Sequence, residues 1–275
     1  MNSAISVVLI ALAFGSAGAG EQTPSVPPEE APAARSTDKI DALEAAVRRN
    51  PNDPASQYRL ALALRGADRR ADAFPHFVAA SELAPPSSDL LLDLGIAYSD
   101  VGRYDDAEKT YRRLITLDPS NARALHNMGN LALRRGDAKE AADWYGRAVA
   151  ARPAYLLAQY HLAYTQKFLG RYDDAMATYM AVLKSEPSSG REQAARTDSL
   201  YQMASIELAR GAPARAEALL AEVVKIAPDH PSAHYARGQA LRQLGRDDEA
   251  RAEFAEHMKI LASRPMGGAS AGAAQ

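Results

Sequence analysis

Residues 90–119 read LLLDLGIAYSDVGRYDDAEKTYRRLITLDP. The stretch divides into two helices at Gly102, a residue that permits the left-handed turn on which a helix stops. Asp105 and Asp106 follow in the first turn of the second helix, where negative charge favours the helix dipole. Pro119 closes that helix because it lacks the donor needed to continue it. Gly95 in the first helix and Ala107 in the second are small where two helices of one hairpin cross, and a larger side chain there would push the axes apart. Leu94 and Tyr111 supply the large apolar groups that fill the space between the helices.

The same punctuation recurs along the chain. Pro51, Pro85, Pro119, Pro153 and Pro187 are each 34 residues apart, and Pro228 follows after 41. The small residues Ala61, Gly95, Gly129, Ala163, Ala204 and Gly238 keep that step, including the single 41. So do Ala73, Ala107, Ala141, Ala175, Ala216 and Ala250. One insertion of seven residues therefore accounts for all three long steps. Phe77, Tyr111, Tyr145, Tyr179, Leu220 and Phe254 are the large knobs of the second helices, while Leu60, Leu94, Met128, Leu162 and Met203 fill the first. Gly136, Gly170, Gly211 and Gly245 repeat the stop of Gly102.

This period, with Leu94-Gly95, Tyr98, Gly102, Ala107, Tyr111 and Pro119 in their places, resembles the tetratricopeptide repeat family. The resemblance covers residues 54–262 and implies an all-α fold: a right-handed α-α superhelix of about six helical hairpins. The repeats run 54–87, 88–121, 122–155, 156–189, 197–230 and 231–262, with the insertion at 190–196. An isolated helix at 38–51 is expected to cap the N-terminal end. The insertion contains helix-compatible residues and is expected to lengthen the first helix of repeat five, an irregular loop being the alternative. Pro75 falls inside the second helix of repeat one and is expected to bend or break it. Arg237 and His257 stand at positions of the last repeat that are usually apolar, as a solvent-facing cap requires.

The 275-residue chain is 47% hydrophobic and 24% charged, so it buries a core. Its formal charge of -2 supplies no general basic field for nucleic acid or an anionic membrane surface. Zero cysteines exclude disulfides, a thiol nucleophile and a cysteine-ligated metal. Ile5 to Phe14 form an apolar run followed by small residues, which resembles a secretory signal and makes 1–20 an expected targeting segment. A periplasmic or secreted protein is expected, or one anchored to the inner membrane if the segment is uncleaved; its n-region lacks Lys and Arg. Residues 21–37, with four prolines, read as a disordered linker, and 263–275 as a disordered tail.

Little in the chain suggests chemistry. Asp105-Asp106, Asp173-Asp174 and Asp247-Asp248 recur because the repeat does, at helix starts. His230 and His234 have metal-like spacing, but no third ligand is near and Pro231 lies between them. No metalloprotease, nucleotide-loop or calcium-loop motif is present. Trp144 beside Tyr145 reads as packing between repeats. No catalytic residue, metal or cofactor is expected, and the protein is read as no enzyme.

In the family it resembles, the first helix of each hairpin lines the concave face, at its second, fifth, ninth, twelfth and thirteenth residues. The fifth is Tyr58, Leu92, His126, Tyr160, Tyr201 and Tyr235; Ile96, Asn130, Tyr164, Lys167, Phe168, Gln239 and Arg242 complete the groove. Tyrosine gives stiff contact area with a polar tip, suited to holding a peptide, although such a residue also packs between neighbouring helices. The Lys and Asn set with which some members clamp a chaperone's terminal carboxylate is lacking; only Asn130 and Lys167 come close. The expected partner is a protein or peptide, with no nucleic acid and no small-molecule substrate; a membrane enters only through an uncleaved anchor. Two functions fit: an adaptor in assembly of an envelope complex, or a permanent structural subunit whose groove is incidental.

Overall fold

A computed structural model describes residues 32–85 and 87–263. The expected targeting segment, residues 21–31 of the linker and residues 264–275 of the tail lie outside the described residues. Thirteen helices and no strand are present among them: α1 (Pro32–Arg49), α2 (Pro54–Gly66), α3 (Arg70–Leu83), α4 (Ser88–Asp100), α5 (Tyr104–Leu117), α6 (Ala122–Arg134), α7 (Ala138–Ala151), α8 (Leu156–Phe168), α9 (Tyr172–Lys184), α10 (Gly190–Ala209), α11 (Pro213–Ile226), α12 (Pro231–Gln243) and α13 (Asp247–Ser263). From α2 onward they pair as six hairpins, each with a first helix A and a second helix B. Helix B of one hairpin packs on helix A of the next, which makes the stack a solenoid.

Turn chemistry fixes each hairpin. Gly102 has φ 79, and the following amide, on Arg103, donates to the Tyr98 carbonyl at 2.8 Å, closing the end of α4. In repeat one Asp68 takes that place with φ 59, a conformation its short polar side chain tolerates. Several A helices start on a capping side chain: Asp53 accepts from the Ser56 amide at 3.0 Å, and Asn121 from that of Ala124 at 3.1 Å.

The core is continuous along the stack. Phe77, Tyr111, Tyr145, Tyr179 and Leu220 are fully buried, each against helix A of its own repeat and the one beyond. Ala61, Ala163 and Ala204 are fully buried, and a methyl group built on Gly129 would lie 2.5 Å from the Tyr145 ring. Size is the property selected there. Leu162, expected in the core, is only half-buried.

Four expectations meet a different outcome or a sharper one. α1 begins at Pro32, inside the stretch 21–37 expected to be disordered; proline is tolerated in the first turn of a helix, and residues 33–37 contain no breaker. Its Ile40 is buried against Leu60, Ala61 and Phe77, so α1 covers the start of the stack. Pro75 does not break α3, which runs on to Leu83. Pro75 and Ala71 are both exposed, so the carbonyl that loses its donor is left to water. Residues 190–196 form the first turns of α10, where Ser189 accepts from the Glu192 amide while the Glu192 carboxylate accepts from Ser188.

Arg237 and His257 do not form a solvent-facing cap. Arg237 donates to Glu217 of α11 at 2.8 Å and to Glu253 of α13 at 2.6 Å, and His257 donates to the Pro231 carbonyl at 3.0 Å. These polar groups satisfy one another within the last repeats, while Met258 and Leu261 of α13 are exposed.

Candidate functional site: the helix A face of repeats three and four

Side chains on successive A helices bond to one another and so draw these helices together on one side of the stack. The Tyr58 hydroxyl donates to Asp93 of α4 at 2.6 Å, and Arg65 holds the other oxygen of that carboxylate at 2.8 Å. His126 of α6 meets His161 of α8 with ring nitrogens 2.8 Å apart. The Tyr160 hydroxyl donates to Asp198 of α10 at 2.6 Å, and Lys167 donates to Gln202 and Ser205.

The centre of this face is an unbroken aromatic run. Tyr155 lies 5.2 Å from His126, whose ring is nearly parallel to His161 at 5.0 Å. His161 lies 5.3 Å from Tyr160, and Tyr160 lies 6.4 Å from Tyr164. A hollow of about 270 Å³ opens beside the run, lined by Asn130, Leu133, Tyr145, Tyr160, His161 and Tyr164. A second hollow, of about 340 Å³, holds Ile96, Asp100, Tyr111 and Arg134. Asn130 lines both, and its side-chain oxygen accepts from the Tyr145 hydroxyl at 2.7 Å. The two hollows adjoin at Asn130 and lie across α4, α6 and α8; together they are termed the trough.

Ionisation here is governed by burial. Burial pushes the His126 imidazole down to about 3, with His161 beside it adding to the fall, and His161 down to about 4, with Arg191 adding. Both rings are neutral at pH 7, and one donates to the other. Burial and the bond to Asp198 raise the Tyr160 hydroxyl, so it acts as a donor. Burial lowers Lys167, against the opposing pull of Asp198.

The residues expected in the groove divide into three groups. Ile96, Asn130, Tyr160 and Tyr164 line the trough; Tyr164 is 44% exposed, and Phe168 one turn further along α8 is 75% exposed. Leu92 and His126, at 4% and 7% exposure, are core residues and not groove wall. The fifth residue of an A helix can face the sixth of the next, as Tyr58 faces Asp93 and His126 faces His161, and that packing draws it toward the core. The remainder stand apart from the two hollows: Tyr58 is tied to Asp93, Tyr201 packs 5.3 Å from His230, and the exposed Tyr235 lies 5.7 Å from Phe254. Gln239 is half-buried and Arg242 exposed, its guanidinium 5.9 Å from the Phe254 ring. Lys167 is committed to its neighbours in α10. His161 and Tyr155, both central, were not among the expected residues.

The chemistry-like motifs are occupied by structure. Asp106 pairs with Arg103, Asp174 with Arg171 and Asp248 with Arg251 across single helix turns. His230 caps α12 by accepting from the Ala233 amide, and the His234 ring nitrogens sit 2.7 Å from Glu253 and 2.8 Å from the Pro228 carbonyl. Among the described residues no group of three His, Asp or Glu side chains is placed to hold a metal. The Trp144 ring packs among three of the buried clusters, and its Nε1 donates to Glu140 at 3.0 Å.

A tetratricopeptide repeat family model matches residues 40–88, 92–156 and 201–265, and a second model of the same description matches 132–198. The chain belongs to the tetratricopeptide repeat family. Its fold is similar to that of MamA from Desulfovibrio magneticus RS-1, at 15% identity and TM-score 0.56, covering 65% of this chain and 97% of that one. It is also similar to YrrB, a TPR protein with an unusual peptide-binding site, at 19% identity and TM-score 0.56, covering 72% and 98%. A tetratricopeptide repeat protein from Parabacteroides merdae matches at 18% identity and TM-score 0.57, covering 83% and 88%. Such identities show the shared fold alone. Tetratricopeptide repeat proteins commonly bind proteins or peptides and in general serve as non-catalytic scaffolds.

Proposed function

We propose that this tetratricopeptide repeat protein is an adaptor that holds a peptide or protein segment in the trough of α4, α6 and α8. The observation that carries the reading is the exposure of Tyr164, which lines the hollow of about 270 Å³, and of Phe168 one helical turn beyond it. Large aromatic groups left uncovered next to a concavity are the usual anchors of a polypeptide interface. The description of YrrB as a peptide-binding protein of similar fold is in keeping with this. The apolar run Ile5 to Phe14 supports export, and with it a role in assembling a periplasmic envelope complex.

A second reading has its own support. Met180 on α9, and Met258 and Leu261 on α13, are exposed away from the trough, as they would be on a subunit built permanently into a larger assembly. The two separate in a crosslinking pull-down from envelope extracts. Tyr164→Ala with Phe168→Ala is expected to lose the captured partner while the helical melt stays within a few degrees. Retention of the partner by that variant overturns the adaptor reading in favour of the structural subunit.

A further inference from the structure

Four arginines stand about the A helices of repeats three and four without a carboxylate partner. Among the described residues Arg49, Arg59, Arg113, Arg147 and Arg242 are also unpaired, but they lie on five different helices, α1, α2, α5, α7 and α12. Arg103, Arg112, Arg135, Arg171 and Arg210 each pair with a carboxylate, and all lie on B helices or in turns. Arg123, Arg134, Arg152 and Arg191 are exposed and pair with no carboxylate among the described residues. Two of them are held by rings and not by charge: Arg134 lies 3.8 Å over Tyr104, and Arg152 lies 5.3 Å over Tyr155. A cation stacked on a ring keeps its positive charge and its outer donors free.

The grouping has a polarity. Arg123, Arg152 and Arg191 all lie near enough to Tyr155 to oppose the rise that burial gives its hydroxyl. Glu192, next to Arg191 on α10, adds to that rise, and its carboxylate is already engaged by the Ser188 amide at 2.7 Å. Arg191 reaches this place because the insertion at 190–196 extends α10 past the end of the earlier A helices. From Tyr155 the aromatic run leads to Tyr164 and the exposed Phe168 at the far end of α8. The basic stretch is bounded. Asp100 lines the outer hollow with Arg134, Asp89 also lies on α4, and Asp198 lies on α10. The groove positions of repeats three and four hold Arg123, Arg134 and Lys167 and no carboxylate, in a chain whose net charge is -2.

We infer that the segment held in the trough is an acidic polypeptide, with carboxylates at Arg123, Arg152 and Arg191 and apolar side chains at Tyr164 and Phe168. The inference rests on the adaptor reading and names its ligand chemistry. From Tyr155 to Phe168 the helix rises about 20 Å, which an extended peptide of roughly six residues spans. The segment therefore carries its carboxylates about five residues from its apolar anchor. A nucleic acid strand fits less well, because a continuous phosphate chain would run from the cations into Asp100 or Asp198.

The test is to pan a random dodecapeptide display library on the full chain, on R123E/R191E and on Tyr164→Ala/Phe168→Ala. The substituted residues are exposed, and a helical melt checks folding. Peptides enriched on the unaltered protein are expected to carry at least twice the input content of Asp and Glu. Synthesised, they should bind R123E/R191E at least ten-fold more weakly, and bind the unaltered protein less tightly as salt rises. Enriched peptides that are neutral, ignore R123E/R191E and still need Tyr164 and Phe168 overturn the inference and leave the adaptor reading standing. No enrichment, or binding indifferent to both variants, overturns both. A fluorescein-labelled single-stranded RNA that binds as tightly as the peptides, and fails on R123E/R191E, assigns the cations to nucleic acid and overturns the inference.

Discussion

At Gly129 a methyl group meets the Tyr145 ring at 2.5 Å, while at Gly146, also within a helix, it meets nothing within 4 Å. The same substitution therefore has opposite signs at the two sites. Gly129→Ala is expected to lower stability by about 1–2 kcal/mol through overpacking, and Gly146→Ala to raise it by roughly 0.5–1 kcal/mol through backbone entropy. Urea melts of the two variants check this. The buried pair His126 and His161 makes a second residue-level prediction. Their folded-state values, about 3 and about 4, lie below the usual 6.5, so the unfolded chain takes up protons first as pH falls. Stability contributed by the neutral pair is complete well above pH 6.5 and declines below it, by on the order of 3 kcal/mol for each ring at pH 4. Melts of the unaltered protein and of His126→Gln/His161→Gln are expected to show a shallower decline between pH 6.5 and 4 in the variant. An equal slope in both would remove the pair from the account.

At the scale of the helix, what was legible in the sequence is what repeats. The prolines, the small residues and the turn glycines recur because each does a local job, ending a helix or letting two helices approach, and local jobs leave a periodic trace. Contacts between repeats leave a fainter one. Gln57, Gln159 and His234, each the fourth residue of its A helix, reach back to the carbonyls of Pro51, Pro153 and Pro228 at 2.7, 2.7 and 2.8 Å. Leu91 and Leu125 hold that place elsewhere, so no single residue type marks it. The burial of Leu92 and His126 follows from the same limit, because helix A packs on its successor as well as on helix B. The reading of α3 overweighted Pro75, whose missing bond faces water. Pro75→Ala is expected to stabilise the protein by about 1–3 kcal/mol, by restoring a helical bond and removing a ring from the helix interior. A rise of several degrees in melting temperature checks it, and no change would mean that α3 has already relaxed around the ring.

Over the whole molecule the stack carries its chemistry unevenly. The groove positions of repeats three and four hold cations and no carboxylate, and the exposed rings of Tyr164 and Phe168 stand beside them next to a hollow. The sequence placed Asn130, Tyr160, Tyr164 and Phe168 on this face but not the break in the ladder on either side of it, because which aromatic groups stay open depends on how neighbouring A helices approach. The seven-residue insertion shifts that approach: Tyr160 meets Asp198, near the start of its repeat, where Tyr58 meets Asp93, at the sixth position. The most direct measurement is site-specific photocrosslinking, in the native cell, from a benzophenone side chain placed at Phe168 or, for comparison, at Met180 on α9. The account predicts a discrete polypeptide adduct from Phe168 and none from Met180. An adduct from Met180 with none from Phe168 would contradict it.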